Sequence, residues 1–508
     1  MDLTTILSGL SDAFTITTIL YVLLGVVIGQ FVGAIPGIGP VMAMAIAIPF
    51  SFALSPLAAI GLLIGINKGG LVGGAIPAVL MNTPGTPDAA ATAQDGFPLS
   101  QKGKPLKAMK MALYASVTGD VFADILLITI AAPLSIIALQ MGPVEILGLM
   151  IGAFAVIAGL IGNSITKGLI SALLGLLFAT VGSDPQHFTP RFVFQWFDLY
   201  DGLSLTSVAI GMLAISEILN KLSKKFEVSK AVISIPENQP SEDKNISWQE
   251  YWSCRFVNLR GAIVGTLIGI IPGVGSTAAA FLSYGMTKKA SSEPESFGKG
   301  NIQGIAASES ANSAVTGASM IPLFTLGIPG SINAALIISA LMIQGLEPGP
   351  LLFENQGRLV YGLFGAMLIA NLLNFIVGQF GLRLWSRILV APESFIYSAS
   401  ILLCFVGVGL ATGGLFGVTV MLIFAVLGYF MMMLGYSTII FIIAFFLGPR
   451  FEASLGQTIT LIDGDMTNFL HYPIGIFFFC AALFSVWRLS KGRNTTTTDT
   501  SAQSHNAA

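Results

Sequence analysis

Charged residues are scarce in this chain, and their scarcity decides the class of protein. Only 10% of the 508 residues are charged, whereas 54% are hydrophobic, and the mean hydropathy is +0.82. A soluble globular domain carries roughly 25% charged residues. The composition therefore excludes a soluble protein and predicts a polytopic membrane protein in a lipid bilayer. The formal net charge of -2 gives no reason to expect a nucleic-acid partner.

Cysteine and histidine are also rare, at three residues each. Cys254, Cys404 and Cys480 are widely spaced, which excludes a disulfide framework and a Cys-based metal site. The sequence contains no HExxH, GxSxG or Walker A motif. We therefore expect no enzymatic activity, no catalytic residues and no cofactor, and no metal apart from a coupling ion.

Long hydrophilic stretches are confined to the middle and the end of the chain. The lysine-bearing segment 221–254 separates a first membrane repeat, 1–220, from a second, 255–488. Its five lysines match the enrichment of Lys and Arg in cytoplasmic loops, which predicts a cytoplasmic linker here. The tail 489–508 is rich in Thr, Ser and Asn, and is predicted to be disordered and cytoplasmic.

One apolar stretch, 67–90, is interrupted by proline and glycine at positions where a membrane helix needs its backbone bonds. Such backbone is tolerated at membrane depth only where protein or a water-lined cavity satisfies the freed polar groups. The stretch 312–335 repeats the pattern. At one constant offset, the first stretch matches the second at Asn67 and Asn312, Pro77 and Pro322, Pro84 and Pro329, and Gly85 and Gly330.

Each half also has an earlier shared element, GAIPGIG at 33–39 and GIIPGVG at 269–275. Loop charge gives the two halves opposite directions. The loop 101–110 after the first break has four lysines, whereas 346–358 after the second has two glutamates and one arginine. The predicted fold is therefore all-α and polytopic, with two inverted structural repeats that contain broken Pro-Gly helices and hairpins.

The residues after each break favour a helix start that binds an anion. Thr86 or Ser331 is placed to act as an N-cap hydroxyl, and Pro87 fits the first helical position. The positive end of a helix suits a carboxylate. The candidate substrate-binding residues are Asn82, Thr83, Pro84, Gly85, Thr86, Pro329, Gly330 and Ser331. The alternative is a pair of proline-kinked helices packed for structural reasons, but the matched duplication favours a site.

Asparagine, aspartate and exposed backbone carbonyls in the same regions are candidate ligands of a coupling cation. Hard cations such as Na⁺ take oxygen ligands, and discontinuous helices supply them. The candidate ion-binding residues are Gly37, Gly39, Asn67, Asp88, Gly273, Gly275, Asn312 and Asn333. The alternative is that the amides bond neighbouring helices and the glycines permit tight packing. Asp88 lies at the positive helix end assigned to substrate, so it must pair with a cation if both breaks bind carboxylates.

Five further ionisable residues fall within or near apolar segments, where charge is functional by default. These are Lys68, Asp120, Asp124, Glu217 and Glu309. They are candidates for substrate contacts or proton relays. Asp120 and Glu217 have a second interpretation, in which they lie near helix ends and need no function.

Three stretches resemble the large membrane subunit of the tripartite tricarboxylate transporter family, the TctA-like subunit. They are GAIPGIGP, NKGGLVGGAIPAVLMNTPGTPDAAATAQDGFPLSQKGKPLKAM and IPLFTLGIPGSINAALIISALMIQGLEPGP. The resemblance implies a multi-pass permease of the bacterial inner membrane that works with a small four-helix membrane subunit and a periplasmic solute-binding protein. It implies uptake of citrate or related tri- and dicarboxylates, driven by a gradient of Na⁺ or H⁺.

Three other functions remain open at this point. A standalone ion-coupled organic-anion symporter has the same membrane architecture and needs no binding protein. An ion channel is compatible with twin broken helices. A membrane-embedded enzyme requires a nucleophile and base, or metal ligands, which this sequence lacks.

Overall fold

The computed structural model describes residues 3–35, 39–161, 164–184, 187–223, 240–272, 274–388, 393–412, 414–463 and 466–484. Three predictions fall outside these residues. They concern Gly37, Gly273 and the tail 489–508, and the linker residues 224–239 lie outside as well.

The first half of the chain is helical apart from a short hairpin. Its helices are α1 Leu3–Ala13, α2 Ile16–Gly33, α3 Gly39–Ser51, α4 Pro56–Met81, α5 Ala89–Gln101, α6 Pro105–Leu139, α7 Pro143–Ile161, α8 Ile165–Ala179, α9 Leu205–Ile210 and α10 Ser216–Ser223. Strands β1 Gly182–Ser183 and β2 Pro190–Arg191 pair antiparallel. A 3₁₀ turn spans Phe197–Leu199, and a π-helical turn, Gly211–Ile215, joins α9 to α10.

The described residues of the second half form helices joined by loops and turns, without a strand. Its helices are α11 Ser241–Lys244, α12 Trp248–Ser253, α13 Arg255–Ile270, α14 Gly275–Ala290, α15 Ile302–Ala318, α16 Met320–Leu326, α17 Ile332–Ile343, α18 Leu351–Ile388, α19 Glu393–Ala411, α20 Leu415–Met433, α21 Thr438–Ile462 and α22 Pro473–Phe484. Helix α18 is kinked at Gln356, and 3₁₀ turns span Pro294–Ser296 and Met466–His471.

Seven helices among the described residues are long and apolar enough to cross a membrane. They are Ile16–Gly33, Pro56–Met81, Pro105–Leu139, Leu205–Ser223, Leu351–Arg387, Leu415–Met433 and Thr438–Ile462. A helix needs about 20 apolar residues to cross the hydrocarbon core. The all-α, polytopic membrane fold is confirmed, whereas the inversion of the two repeats stays a prediction.

The contacts divide the chain into two compact units, each assembled from separate stretches of sequence. One unit combines 1–138 with 221–418, and the other combines 139–220 with 419–508. Each unit therefore contains parts of both predicted repeats. The repeat boundaries at 220 and 255 come from similarity along the sequence, and they stay a prediction.

A glycine seam between α2 and α4 brings the two backbones of the first unit into direct contact. Its members are Gly25, Gly29 and Gly33 on α2, and Gly65, Gly69 and Gly73 on α4. A Cβ at any of these positions would lie 2.2–2.5 Å from a carbonyl oxygen of the opposite helix. Small residues at such spacing permit the close helix approach that drives packing in lipid. The seam fixes α4, which leads into the first break.

Helices α13 and α15 pack through a second seam in the same unit. Gly261, Gly265 and Gly269 line α13, and a Cβ on Gly265 would lie 2.1 Å from the carbonyl oxygen of Ala311. These three glycines precede the second Pro-Gly-x-Gly element at the spacing with which the α2 glycines precede the first. In both halves, therefore, a helix with glycines at the same spacing packs against a helix that precedes the break. These pairs are α2 with α4, and α13 with α15.

The lysine-rich loops of the first unit contact one another. Lys102 Nζ donates to the carbonyl of Lys299 at 2.6 Å, and Lys104 pairs with Asp243 at 2.8 Å. Nearby, Lys107 at the start of α6 forms an ion pair with Glu250 of α12. The contacts thus join the loops whose charges predict a cytoplasmic location.

The loop 346–358, which is predicted to face outward, and the residues beside it contact the ends of other helices. Gln344 Nε2 donates to the carbonyl of Ser51 at 2.8 Å, which joins the end of α17 to the end of α3. Arg358 donates to both carboxylate oxygens of Asp12, at 2.6 and 2.8 Å. The ends of α3 and α1 therefore lie beside the segment that is predicted to face outward.

The second unit has a core of aromatic and small residues between α8, α20 and α21. The rings of Phe178, Phe424 and Phe441 contact one another at centroid distances of 5.1–6.0 Å. A Cβ on Gly175 would lie 2.3 Å from the carbonyl oxygen of Phe441, so α8 and α21 approach as closely as the seams of the first unit. Arg191 of the hairpin pairs with Glu452 on α21.

Candidate functional site

The first break lies between α4 and α5, in the stretch that the sequence identified. Asn82 ends α4 in the left-handed conformation, with φ 53°, and its N–H donates to the carbonyl of Pro77. The N–H of Thr83 reaches the same oxygen at 3.4 Å. The N–H of Gly85 then bonds the carbonyl of Gly74 at 3.1 Å, which folds the break back onto α4.

The second break lies between α16 and α17 and has equivalent turn geometry. Gly327 ends α16 in the left-handed conformation, with φ 68°, and the N–H of Ile328 bonds the carbonyl of Pro322 at 3.2 Å. A Cβ on Gly330 would lie 2.8 Å from the carbonyl oxygen of Ser319. The matched prolines therefore have the same role in both halves, because each provides the carbonyl that closes the turn.

The restart of α17 confirms one predicted helix cap. Ser331 has extended backbone, with φ -149°, and its Oγ accepts the N–H of Ala334 at 3.1 Å. Ser331 Oγ also donates to Ser319 Oγ at 3.1 Å. Pro329 and Gly330 are buried, whereas Ser331 is half-buried. The second break thus ends in a capped helix start, as the sequence predicted.

The restart of α5 differs from the prediction that Thr86 caps it with Pro87 as the first helical residue. Helix α5 begins at Ala89, whose N–H bonds the carbonyl of Thr86 at 3.1 Å, and Asp88 precedes it without a side-chain cap. Asp88 already has helical backbone, with φ -71° and ψ -34°. The turn closes through the carbonyl of Thr86, so its hydroxyl is not used as a cap.

The structure brings one pair of candidate ion ligands from the two halves into contact, Asn67 and Asn333. Asn333 Nδ2 of α17 donates to Asn67 Oδ1 of α4 at 2.6 Å. Asp88 Oδ1 accepts the hydroxyl of Thr277, at the start of α14, at 3.2 Å. Among the described residues, no hydrogen bond joins the first break directly to the second. The halves meet instead where each break contacts a helix of the other half.

Several polar atoms of this region are buried and have no hydrogen-bond partner. They are Thr86 Oγ1, Asn312 Oδ1 and Nδ2, Ser313 Oγ and Asn333 Oδ1. Unpaired buried polar groups are rare in folded proteins, and each one costs about 1–3 kcal/mol. Orphan oxygen atoms are the feature expected where an ion or a polar ligand binds.

The two Pro-Gly-x-Gly elements end at glycines with left-handed backbone. Gly39 has φ 60° at the start of α3, and Gly275 has φ 80° at the start of α14. Gly39 lies beside the first break, because a Cβ there would be 3.9 Å from Thr86 Cγ2 and 4.0 Å from the carbonyl oxygen of Gly85. The left-handed backbone gives both glycines a conformational role, whatever their carbonyls bind.

Lys68, which follows Asn67 in the sequence, belongs to a buried ion triad. Lys68 Nζ contacts Asp120 Oδ1 at 3.1 Å and Asp124 Oδ2 at 2.9 Å, and all three side chains are at most 1% exposed. Asn371 Nδ2 donates to Asp124 Oδ2 at 2.7 Å, and Asn374 Nδ2 donates to the carbonyl of Lys68 at 3.1 Å. Helices α4, α6 and α18 are thereby joined by polar contacts.

Glu309 is fully buried on α15 and is held by hydroxyl groups. Thr92 Oγ1 of α5 donates to Glu309 Oε1 at 2.5 Å, and Ser116 Oγ of α6 donates to Oε2 at 2.8 Å. No ion pair to Glu309 is formed within the described part of the chain. Glu217 is at the start of α10 and belongs to the other unit.

A family model for the tripartite tricarboxylate transporter TctA family matches residues 19–443. The chain belongs to the TctA family. TctA is a family of transporters and not of enzymes, which is consistent with the expectation that the chain is not an enzyme. The match also confirms the resemblance seen in the three stretches above.

Two relatives of this TctA-family chain come from Agrobacterium vitis. The uncharacterized 52.8 kDa protein in the TAR-I ttuC' 3' region is 33% identical over 475 residues, which cover 93% of each chain. The uncharacterized protein in the TAR-II ttuC' 3' region is 36% identical over 210 residues, which cover 41% of this chain and 87% of that one. No solved structure matches the chain.

Sequence reasoning missed Thr92 and Ser116 in this TctA-family chain, although helical spacing offered a signal for both. Ser116 precedes Asp120 and Asp124 at successive intervals of four residues, which places all three on one face of α6. Thr92 follows Asp88 at the same interval. A series of polar residues four apart within an apolar segment could therefore have identified the side chains that meet in the protein interior.

Asp95 was also missed, and its contacts show a structural role. Its Oδ1 accepts backbone N–H groups of Gly298, Gly300 and Asn301 at 2.8–2.9 Å, and Oδ2 accepts the hydroxyl of Tyr284 at 2.9 Å. Asp95 is fully buried on α5. It fixes the loop between α14 and α15 against the helix that follows the first break.

Proposed function

We propose that this chain is the large permease subunit of a binding-protein-dependent secondary transporter, which imports tri- and dicarboxylates such as citrate with Na⁺ as the coupling ion. The observation that supports the proposal is the pair of helix breaks with equivalent turns, at Asn82–Thr83 and Gly327–Ile328. Both interrupt the interior of a membrane protein, where broken helices commonly form transport sites.

The substrate carboxylates bind at the two helix starts. The residues of this site are those of the breaks, namely Asn82, Thr83, Pro84, Gly85, Thr86, Pro329, Gly330 and Ser331. The capped start of α17 is the stronger anion site, because Ser331 orders it and no carboxylate lies in its first turn. At the other start Asp88 carries negative charge, so a substrate carboxylate binds there only when a cation neutralises Asp88.

The coupling cation binds among side-chain and backbone oxygens near the breaks. Asn67, Asp88, Asn312 and Asn333 provide the side chains, and the Pro-Gly-x-Gly elements provide carbonyls at Gly37, Gly39, Gly273 and Gly275. The unpartnered oxygens of Asn312 and Asn333 support this assignment, since both remain available to a ligand. Asp88 contributes the charge, and we expect Asp88→Asn to weaken the dependence of uptake on Na⁺.

Two partner proteins complete the transporter. A small four-helix subunit binds this chain within the bacterial inner membrane, and a periplasmic solute-binding protein delivers the substrate. Family membership supports both partners. The lysine-rich loops of the first unit face the cytoplasm, on the side of the membrane opposite to the solute-binding protein.

Uptake into proteoliposomes tests the proposal. The chain and its small subunit are reconstituted, and uptake of labelled citrate and other carboxylates is measured with and without the binding protein, under imposed Na⁺ or H⁺ gradients. We expect uptake that requires the binding protein and a Na⁺ gradient. Uptake that responds to neither gradient contradicts a secondary transporter, and full activity without the binding protein indicates a standalone symporter.

Valine substitutions at the two breaks test the site itself. Gly85→Val places side-chain atoms against the carbonyl of Gly33, which would lie 2.3 Å from the new Cβ, and Gly330→Val crowds Ser319. We expect both variants to insert into the membrane and to lose uptake. Gly285→Val on α14 is the matched control, because no atom lies within 4 Å of its Cβ position. Normal uptake in both break variants would exclude the breaks as the site.

A further inference from the structure

The buried triad of Lys68, Asp120 and Asp124 carries an unbalanced charge. One ammonium group faces two carboxylates, and none of the three side chains is more than 1% exposed. A net charge without water or a counterion is strongly unfavourable in a low-dielectric interior. The charged groups that face Asp124 are Lys68 on α4 and Asp120 on its own helix, while α18 presents Asn371 and α15 presents Gly317. One positive charge is therefore required.

Two unpartnered oxygen atoms show where this charge binds. Asp124 Oδ1 and Asn371 Oδ1 are both buried and accept no hydrogen bond, although their partner atoms Oδ2 and Nδ2 are bonded to each other at 2.7 Å. A carboxylic acid and a primary amide pair through two parallel hydrogen bonds, N–H to acid oxygen and acid O–H to amide oxygen. The first bond is present, and the two orphan oxygens are those that the second bond would join.

We propose that the triad holds one exchangeable proton, carried on Asp124 Oδ1 and donated to Asn371 Oδ1. The proton adds to the free carboxylate oxygen, no other bond breaks, and Lys68 remains paired with the charged Asp120. The protonated oxygen belongs to Asp124 on α6, whereas the proposed cation ligands Asn67 and Asp88 lie on α4 and immediately before α5. Its role as a coupling site rests on the transport function proposed above, whereas its occupancy by a proton does not.

The surroundings favour a proton over a metal cation. Hard cations take several oxygen ligands, and only two orphan oxygens are present at Asp124 and Asn371. The free oxygen of Asp124 also lies against α15, because a Cβ on Gly317 would be 2.5 Å from it. A proton needs a single acceptor and no added volume.

Infrared spectroscopy of the purified protein, without substrate, tests the proposal. We expect the wild-type protein to show a carboxylic-acid C=O band that shifts in D₂O and disappears at high pH. One component of this band is lost in Asp124→Asn and equally in Asp120→Asn, because each variant leaves Lys68 with a single carboxylate. Glu309→Gln is the control for a buried carboxyl group outside the triad, and it retains this component.

The variant Asn371→Leu, which removes the acceptor at similar size, locates the proton. The acid band moves to higher frequency in this variant, because the O–H loses its hydrogen-bond acceptor. Three results overturn the proposal: a wild-type spectrum without the band, a band that both Asp→Asn variants retain, or a band that Na⁺ abolishes at constant pH. An unchanged band position in Asn371→Leu overturns its placement on Asp124. The wild-type measurements in D₂O and across pH remain decisive if a variant fails to fold.

Discussion

Buried carboxylates in the first unit are stabilised by three different sets of partners. Asp95 accepts backbone N–H groups, Asp120 and Asp124 contact Lys68, and Glu309 accepts two hydroxyl groups. Hydrogen bonds from backbone N–H groups satisfy an ionised carboxylate without a neighbouring cation. Asp95 therefore has the contacts of a structural residue. The carboxylates of Glu309 and of the triad have fewer positive partners than negative charges, so a ligand or a proton can balance the remaining charge.

Replacement of Asp95 by Asn is expected to loosen the loop between α14 and α15. The variant loses the charge on an oxygen that accepts three N–H groups, which removes about 1–3 kcal/mol of stability. Hydrogen exchange of the amides of Gly298, Gly300 and Asn301 should become faster.

Asp12→Asn is the matched control for this change. Asp12 pairs with Arg358, whose side chain is 64% exposed, and exposed ion pairs contribute at most about 1 kcal/mol. Equal exchange at 298–301 in the Asp95 variant and the wild type would contradict the role assigned to Asp95.

At the scale of elements, the seam between α2 and α4 is expected to tolerate no added methyl group. Gly29→Ala would place a Cβ 2.3 Å from the carbonyl oxygen of Ile66, so the helices must separate. Overpacking of this kind typically costs about 1–3 kcal/mol. The thermal unfolding midpoint of the variant in detergent should fall.

The matched control for the seam is Gly285→Ala on α14, where no atom lies within 4 Å of the Cβ position. Alanine is favoured over glycine within a helix by about 1 kcal/mol. The control should therefore unfold at the wild-type temperature or slightly above it. Equal effects of the two substitutions would show that the seam is not tightly packed.

Acidification is expected to release α12 from the start of α6. Burial raises the pKa of the Glu250 carboxyl, but the ion pair with Lys107 and the bonds from Ser247 outweigh it, so the pKa lies below the ordinary 4.5. A depressed carboxyl pKa stabilises the folded state above pH 4.5, and this contribution disappears as pH falls through the depressed value.

The measurement for α12 is hydrogen exchange at Trp248–Ser253 as a function of pH. The wild-type segment should lose protection as the pH is lowered below 4.5, after correction for the intrinsic exchange rate. Glu250→Gln should be less protected at neutral pH, and its protection should change little in the acid range. The same acid profile in both proteins would assign the transition to other groups.

At the scale of the whole molecule, the loop charges predict which segments face each side of the membrane. Single cysteines at Lys102→Cys and Glu354→Cys, in a background without native cysteines, test this prediction. We expect a charged maleimide added to intact cells to label Glu354→Cys and to label Lys102→Cys only after permeabilisation. Opposite sides for the two equivalent loops support inverted repeats.

The segment 184–201 has three acidic residues, one Arg and several aromatics, which predicts the outer face. Asp198→Cys, in the 3₁₀ turn Phe197–Leu199, therefore serves as a second position predicted to face outward. Labelling of Lys102→Cys and Glu354→Cys from the same side would exclude inversion and leave a direct repeat. Labelling of Lys102→Cys in intact cells would place the lysine-rich loops outside, against the positive-inside bias.

The membrane class, the two broken helices and the cap at Ser331 were determined by the sequence alone. Composition decides whether a chain is stable in water or in a lipid bilayer. Proline and glycine alter the backbone hydrogen bonds of the helical turn in which they lie, so their effect is local. Repeat spacing matched Pro77 with Pro322, and the structure shows that the carbonyls of both close equivalent turns. Local rules still failed at Thr86, because the backbone of Asp88 is already helical and the turn closes through a carbonyl instead.

Only the tertiary structure decided which polar groups meet. Asn67 contacts Asn333 and Asp88 contacts Thr277 across hundreds of residues of chain, and Lys68 lies between two carboxylates of another helix. Such pairs depend on how helices approach and rotate, which the glycine seams control through contacts between backbones. Helical spacing reports which residues share a face, but the partner of that face is fixed by packing. For this reason the charge balance of the triad, and the proton it requires, became visible only in the folded molecule.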